Sequence, residues 1–201
     1  MNIRNPITYY DNIIPLKNQN FIENMLLGKI RGLSFPYYYT RNLTGVDDPN
    51  NPNPERGFGS LLYSHRDANI KEELSFQLLT PFYSLISQLD LLLYQVTNSR
   101  VFLQLPSSNT SKILLPHTDQ QDPHLVFLYY VNDSDGDTVF YEQDRKTEIK
   151  RVSPKKGRAV IFDGLIPHSG STPTKNERLT ININFTILDQ NSIQIRKYPP
   201  I

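Results

Sequence analysis

RLTININF, residues 178–185, is the stretch on which the fold turns. Leu179, Ile181, Ile183 and Phe185 alternate with Arg178, Thr180, Asn182 and Asn184. In extended backbone, residues i and i+2 share a face, so this spacing predicts a strand with one apolar face. The opposite face is headed by an arginine and continues with a hydroxyl and two amides. Turned outwards, it is an ordinary solvated surface. Turned inwards, it lines a polar cavity, where an arginine can grip a carboxylate through two parallel N–H bonds.

Working outwards, residues 100–105, 125–131, 138–142, 147–152, 158–163 and 179–188 are short runs rich in Val, Ile, Phe, Tyr and Thr. The turn signals PSSN, NDSDGD, SPKKG, DGLIP and PTKNE separate them. Strands this closely spaced build a sandwich or barrel. Upstream the pattern changes. Phe21, Ile22, Met25 and Leu26 fall at helical spacing, with Gly28 as the helix end, after a short apolar element from Ile13 to Leu16. From Lys71 to Val96, apolar residues recur every three to four positions, which predicts one long helix or two, started or kinked at Pro81. Between them, Ser34 to Asp67 reads as a long irregular loop, rich in Pro, Asn and Gly. The expectation is one domain over 1–201. A helical N-terminal layer with a long loop occupies 1–98, and a β core occupies 99–190.

The bulk properties narrow the function. A chain of 201 residues with 38% hydrophobic and 20% charged residues is globular. Basic and acidic residues number 21 and 20, a balance that argues against charge-driven binding to nucleic acid or anionic membrane. With no cysteine, disulfides, thiolate metal sites and cysteine nucleophiles are impossible. No secretory signal or membrane-length apolar run is legible, so a cytoplasmic protein is expected.

The chemistry gathers on few residues. The chain has four histidines, His65, His117, His124 and His168. His117 and Asp119 sit two residues apart in LLPHTDQQ, so extended backbone aims both side chains at one point. His168 lies in FDGLIPHSGS, read as the end of another strand, and Arg178 follows ten residues later. Two imidazoles and a carboxylate make a facial triad suited to iron(II), with coordination positions left open.

These residues, with HLVFLYYVNDSDGDTVFYE and PKKGRAVIFDG between them, resemble the 2-oxoglutarate- and Fe(II)-dependent oxygenase superfamily. The similarity is greatest to its prolyl-4-hydroxylase-like branch, which includes members encoded by phages. The resemblance implies a double-stranded β-helix, or jelly roll, with His117, Asp119 and His168 on iron. It implies that Arg178 binds the distal carboxylate of 2-oxoglutarate, that Tyr130 helps hold it, and that Asn182 lines the same pocket. It implies oxidation of a C–H bond with release of succinate and carbon dioxide, and admits ascorbate as an accessory reductant. Halogenating relatives lack the carboxylate ligand, so Asp119 points to hydroxylation. The branch favours a protein or peptide side chain, proline first, with a small molecule as the alternative and a host cytoplasm as the setting for a phage product. The competing expectations are a non-catalytic jelly-roll binding or structural protein, such as a viral one, and a cupin-like metal protein that would not need Arg178.

Other features carry weaker expectations. His124 reads as a cap at the start of a strand or a contact at the mouth of the site, and His65 as a surface residue. The turn Asp133–Asp137 fails the register of a calcium loop and reads as a hairpin turn. Phe35–Tyr39, with Arg41, Arg56 and Tyr63, forms either a substrate-contacting region or a loop packed on the barrel. Lys155, Lys156 and Arg158 read as a solvated basic turn, and the tail QIRKYPPI as a frayed terminus.

Overall fold

The computed structural model describes residues 6–41, 56–64, 74–107 and 113–188. His65 and the C-terminal tail lie outside them. Ten strands and two helices follow in the order β1 (Ile7–Tyr10), α1 (Leu16–Leu26), β2 (Tyr38–Thr40), β3 (Gly57–Ser64), α2 (Leu74–Gln88), β4 (Leu93–Gln104), β5 (Leu125–Tyr130), β6 (Thr138–Tyr141), β7 (Glu148–Val152), β8 (Ala159–Asp163), β9 (His168–Gly170) and β10 (Arg178–Ile187). A seven-stranded sheet runs β1-β8-β5-β10-β4-β3-β2 and a three-stranded sheet runs β7-β6-β9. Paired strands are antiparallel throughout. This is the mainly β jelly roll with N-terminal helices that the sequence predicts.

The period of two sorts each central strand between two cores. Phe127 and Tyr129 of β5 join Ile181, Ile183 and Phe185 of β10 against Ile22 and Met25 of α1 and Leu78, Phe82 and Leu85 of α2. Val126, Leu128 and Tyr130, from the other face of β5, meet Phe140, Val152, Val160 and Phe162 between the two sheets. Burial on both faces explains why LVFLYY reads as an unbroken apolar run. The polar face of β10 therefore points into the space between the sheets.

Helix α1 ends as expected. Gly28 takes φ 66°, a left-handed conformation that glycine adopts freely. Its N–H donates to Met25 O at 3.1 Å, and that of Lys29 to Asn24 O at 2.8 Å, satisfying the last carbonyls. Ile13 and Ile14 are a buried link rather than an element.

Four readings are corrected. The helix does not run to Val96. α2 is one helix with Pro81 inside it, Asp90 turns left-handed at φ 52°, and β4 begins at Leu93. The segment 34–67 is not wholly irregular, because β2 and β3 extend the larger sheet beyond β4 and Leu62 is buried. Pairing along β4 overrides the weak local propensity of GFGSLLYS. With β1, these make three strands upstream of residue 98. His168 opens β9 rather than ending a strand. Finally, the turn Asp133–Asp137 is no hairpin, since β5 and β6 belong to different sheets and the segment crosses between them.

The basic turn is also more than solvated. Arg158 holds Asp11 through two bonds of 2.7 and 3.1 Å, Lys155 lies 3.6 Å from the same carboxylate, and Lys156 pairs with Glu23. Arg158 foremost, and Lys155 more weakly, hold the Asp11 carboxyl below its usual range. The β7–β8 turn is thereby tied to the segment joining β1 and α1.

Candidate active site

His117 and His168 position one another through their backbones. Each N–H donates to the other's carbonyl at 2.9 Å, as an isolated bridge beside β9. Their rings lie 4.9 Å apart between centroids, and Phe162 packs edge-on against His168 at 4.8 Å. His117 Nδ1 is 3.3 Å from Leu115 O, and His168 Nδ1 is 3.0 Å from Ile166 O. A carbonyl only accepts, so each Nδ1 carries a hydrogen, which leaves Nε2 as the nitrogen turned to the site and able to ligate a metal.

Both Nε2 atoms face Asp119. Its Oδ1 lies 3.6 Å from His117 Nε2 and 3.7 Å from His168 Nε2. The three ligand atoms fall within 4.8 Å of one another. Burial alone would raise the Asp119 carboxyl, but the two imidazoles outweigh it and hold the group well below the usual carboxylate range. Asp119 Oδ2 accepts a 3.0 Å bond from Asn182 Nδ2. One oxygen is thus fixed by protein and the other left for a cation. The donor set fits an iron(II) ion with open positions.

Asn182→Ala is therefore expected to weaken divalent metal binding by ~10–100-fold, the usual loss for a partner that orients a ligand. Metal titration at fixed pH checks this.

The second anchor lies at the far end of the same cavity. Arg178 is buried, and three bonds of 2.8 Å fix its guanidinium: Nε to Gly136 O, Nη1 to Gln104 Oε1 and Nη2 to Thr138 Oγ1. One N–H on each terminal nitrogen remains for a ligand. Gly136 is needed for this approach, since a Cβ there would meet Ser171 O at 2.7 Å and Arg178 Cδ at 2.9 Å. Thr138 Oγ1 also accepts from Tyr130 Oη at 2.7 Å. Two accepted bonds leave its own hydrogen to donate.

A cavity of about 150 Å³ joins the two anchors. Gln104, Thr138, Gly170, Arg178 and Thr180 line one end, and His117, Asp119, His168 and Asn182 the other. Along β6, Thr138 faces Gly170 and Phe140 faces His168. The anchors are thus offset by two residues, ~7 Å of strand.

The structure brings five of the six expected site residues to this cavity: His117, Asp119, His168, Arg178 and Asn182. Tyr130 does not line it. Tyr130 is fully buried behind Thr138, and burial pushes its phenol up, so it stays a donor. Sequence reading missed Thr138, Gln104 and Gly136. The signal for Gly136 was present, a glycine inside an acidic turn next to a strand, but its partner lies 42 residues away. His124 is buried at the start of β5, with Nδ1 2.7 Å from Asp122 O and its ring against Gly164, so it acts as a cap. Among the described residues, the aromatic segment does not reach the cavity lining. Phe35 and Tyr37 stack edge-on at 5.0 Å, and Tyr37 donates to Leu26 O at the end of α1.

The crossover that carries Gly136 is fastened by its neighbour. Asp135 accepts from the backbone N–H of Thr174 at 2.9 Å and of Lys175 at 3.2 Å, and from the Thr174 hydroxyl. The hydroxyl, then these amides, bring its carboxyl down to about 2. A depressed carboxyl adds stability above its unfolded pKa of ~4 and loses it as pH falls towards ~2. Asp135→Asn is thus expected to lower Tm at pH 7, with the difference from wild type shrinking between pH 4 and pH 2.5. Thermal melts across that range check it.

Comparison with known proteins agrees with this geometry. A profile of the 2OG-Fe(II) oxygenase superfamily matches residues 103–186, the span that holds the triad and Arg178. No curated protein matches the sequence. Among solved structures, the chain is similar to a Trichoplax adhaerens prolyl hydroxylase in complex with a hypoxia inducible factor oxygen degradation domain peptide fragment. That match has 15% identity, TM-score 0.62, and covers 90% of this chain and 83% of the other. It is similar to a Pseudomonas putida prolyl-4-hydroxylase at 16% identity and TM-score 0.57, covering 90% and 92%. It is also similar to a viral collagen prolyl hydroxylase from Paramecium Bursaria Chlorella virus-1, in its 2OG complex, at 15% identity and TM-score 0.55, covering 92% and 97%. At these identities the likeness is one of fold. The family profile adds the chemistry: residues 103–186, the strands and loops that build the site, match the 2OG-Fe(II) oxygenase superfamily, and the enzyme class this indicates is a 2-oxoglutarate-dependent Fe(II) oxygenase.

Proposed function

We propose that the chain, as one domain over 1–201, hydroxylates a C–H bond on a protein or peptide side chain, with proline the leading candidate. The observation that carries this is one cavity with a metal-ligand triad at one end and a triply anchored arginine at the other. In this reading His117, Asp119 and His168 hold the iron. Arg178 offers its two remaining N–H groups, and Thr138 its hydroxyl hydrogen, to the distal carboxylate of 2-oxoglutarate. Tyr130 acts through Thr138, fixing which way that hydroxyl donates. Asn182 keeps Asp119 aimed at the metal. The ~7 Å offset suits a short dicarboxylate that must reach both ends. Bound iron, with 2-oxoglutarate and oxygen, supplies an oxidant able to break a C–H bond, with succinate and carbon dioxide as co-products.

The peptide preference is supported by the prolyl hydroxylase neighbours, one of them holding a peptide. The test is succinate release by the iron-loaded protein, with mass spectrometry of proline-containing peptides. Hydroxylation adds the mass of one oxygen atom to the peptide. Succinate formed with small metabolites but never with peptides would overturn the substrate class.

A further inference from the structure

The cavity contains a second guanidinium that neither anchor uses. Arg100 on β4 stands directly opposite Asn182 on β10, and Asn182 reaches Asp119. Residues opposed across an antiparallel ladder put their side chains on the same face, ~5 Å apart at Cβ. Arg100 therefore lies at the level of the metal ligands, four strand positions from Gln104 and Arg178. It lines the cavity and is exposed at its mouth. Among the described residues, no carboxylate pairs with it.

Electrostatics leave this end of the cavity short of negative charge once metal and co-substrate are bound. On the cavity face of β4 and β10, the neighbours of Arg100 are neutral: Asn98, Phe102, Asn182 and Asn184. Asp119 is the one carboxylate lining the cavity, and it is claimed by Asn182 and the two imidazoles. Two guanidiniums and a divalent metal thus face one carboxylate. A bound 2-oxoglutarate dianion still leaves one positive charge uncompensated, and it sits at the open end. Like charges in a partly enclosed cavity repel unless a ligand of opposite sign arrives.

The surface outside Arg100 suits an extended chain. Leu61 on β3 opposes Arg100, and Tyr38 on β2 opposes Gly59, which opposes Phe102. All of them share the cavity-side face. Leu61 and Tyr38 are exposed, at 37% and 57%. Here the larger sheet extends past the three strands that cover its centre.

From this we infer that Arg100 is a specificity-determining residue that binds a carboxylate of the polypeptide substrate next to the oxidised residue, while the flanking chain lies across β3 and β2. The inference rests on the hydroxylase reading above.

The test uses the iron-loaded full chain with 2-oxoglutarate and matched proline peptides. The peptides carry Glu, Gln or Lys beside the proline, each with a free or an amidated C-terminus. The Glu peptides are expected to show at least a ~10-fold lower KM than the Gln peptides, the worth of one charge-assisted hydrogen bond. If only the free C-terminus confers the preference, the carboxylate read is the terminal one. Arg100→Gln is expected to erase the preference and Arg100→Glu to reverse it towards Lys peptides, a reversal that a merely structural role would not produce. Binding of the same peptides to the manganese- and 2-oxoglutarate-loaded protein gives a readout independent of turnover. Equal use or binding of acidic and neutral peptides, including no binding of either, overturns the inference. So does a loss of 2-oxoglutarate affinity in Arg100→Gln. If 2-oxoglutarate fails to bind the wild-type protein at all, it is the hydroxylase reading that fails.

Discussion

Arg178→Lys is expected to raise the Kd for 2-oxoglutarate by ~100-fold or more while leaving metal affinity in place. Lysine keeps the charge but not the planar fork, and it cannot reproduce three fixed donors plus two free ones. In the native protein Gly136 O, Gln104 Oε1 and Thr138 Oγ1 all converge on the guanidinium. An ammonium can satisfy at most part of that set, and what it satisfies it withdraws from the co-substrate. Losing one partner of a buried charge-assisted pair typically costs 2–5 kcal/mol, which gives the magnitude. Arg178→Ala should bind as poorly and also lower Tm, because it leaves those acceptors around a hole. Titration of 2-oxoglutarate into the anaerobic iron protein reads the first effect and metal content the second. Near-native affinity in Arg178→Lys would show that the carboxylate sits elsewhere.

Asp119→Ala is expected to abolish succinate formation and to weaken iron binding by more than the ~10–100-fold assigned to Asn182. It removes the negatively charged ligand and leaves Asn182 Nδ2 without its acceptor. The two histidines should remain in place. Their backbones bond to each other, and their Nδ1 atoms to carbonyls, independently of the carboxylate. The variant should therefore melt near the wild-type Tm of the metal-free protein. Dialysis followed by metal analysis, with circular dichroism as the fold control, checks both halves. Wild-type iron content in the variant would remove Asp119 from the ligand set.

These residues were legible because their pattern is local and periodic. The alternation in RLTININF put Arg178 and Asn182 on one face without reference to any other segment. The spacing in HTD did the same for His117 and Asp119. What was hidden depends on pairings between distant segments. Nothing in DSDGD says that the next strand joins another sheet, so the crossover reads as a hairpin and the role of Gly136 stays hidden. Leu89 and Leu92 continue the helical rhythm of α2, and only the left-handed Asp90 separates helix from strand. The strand β3 carries too little apolar periodicity to announce itself, and β4 recruits it. For Tyr130, its place in the motif implies a direct contact with the co-substrate. The alternation of β5 in fact turns it into the core between the sheets, one hydroxyl behind the cavity.

β1 has a bearing on how the molecule behaves among its own copies. It lies against β8 at the margin of the larger sheet, and Asp11 just after it is clasped by Arg158 and Lys155. Those few residues occupy backbone groups on β8 that would otherwise offer themselves to any passing strand. A chain shortened past Asp11 would keep every residue of the cavity. It would also present an open template beside the apolar run of β5 and β8, so self-association, rather than catalysis, is where that shortening would first be felt.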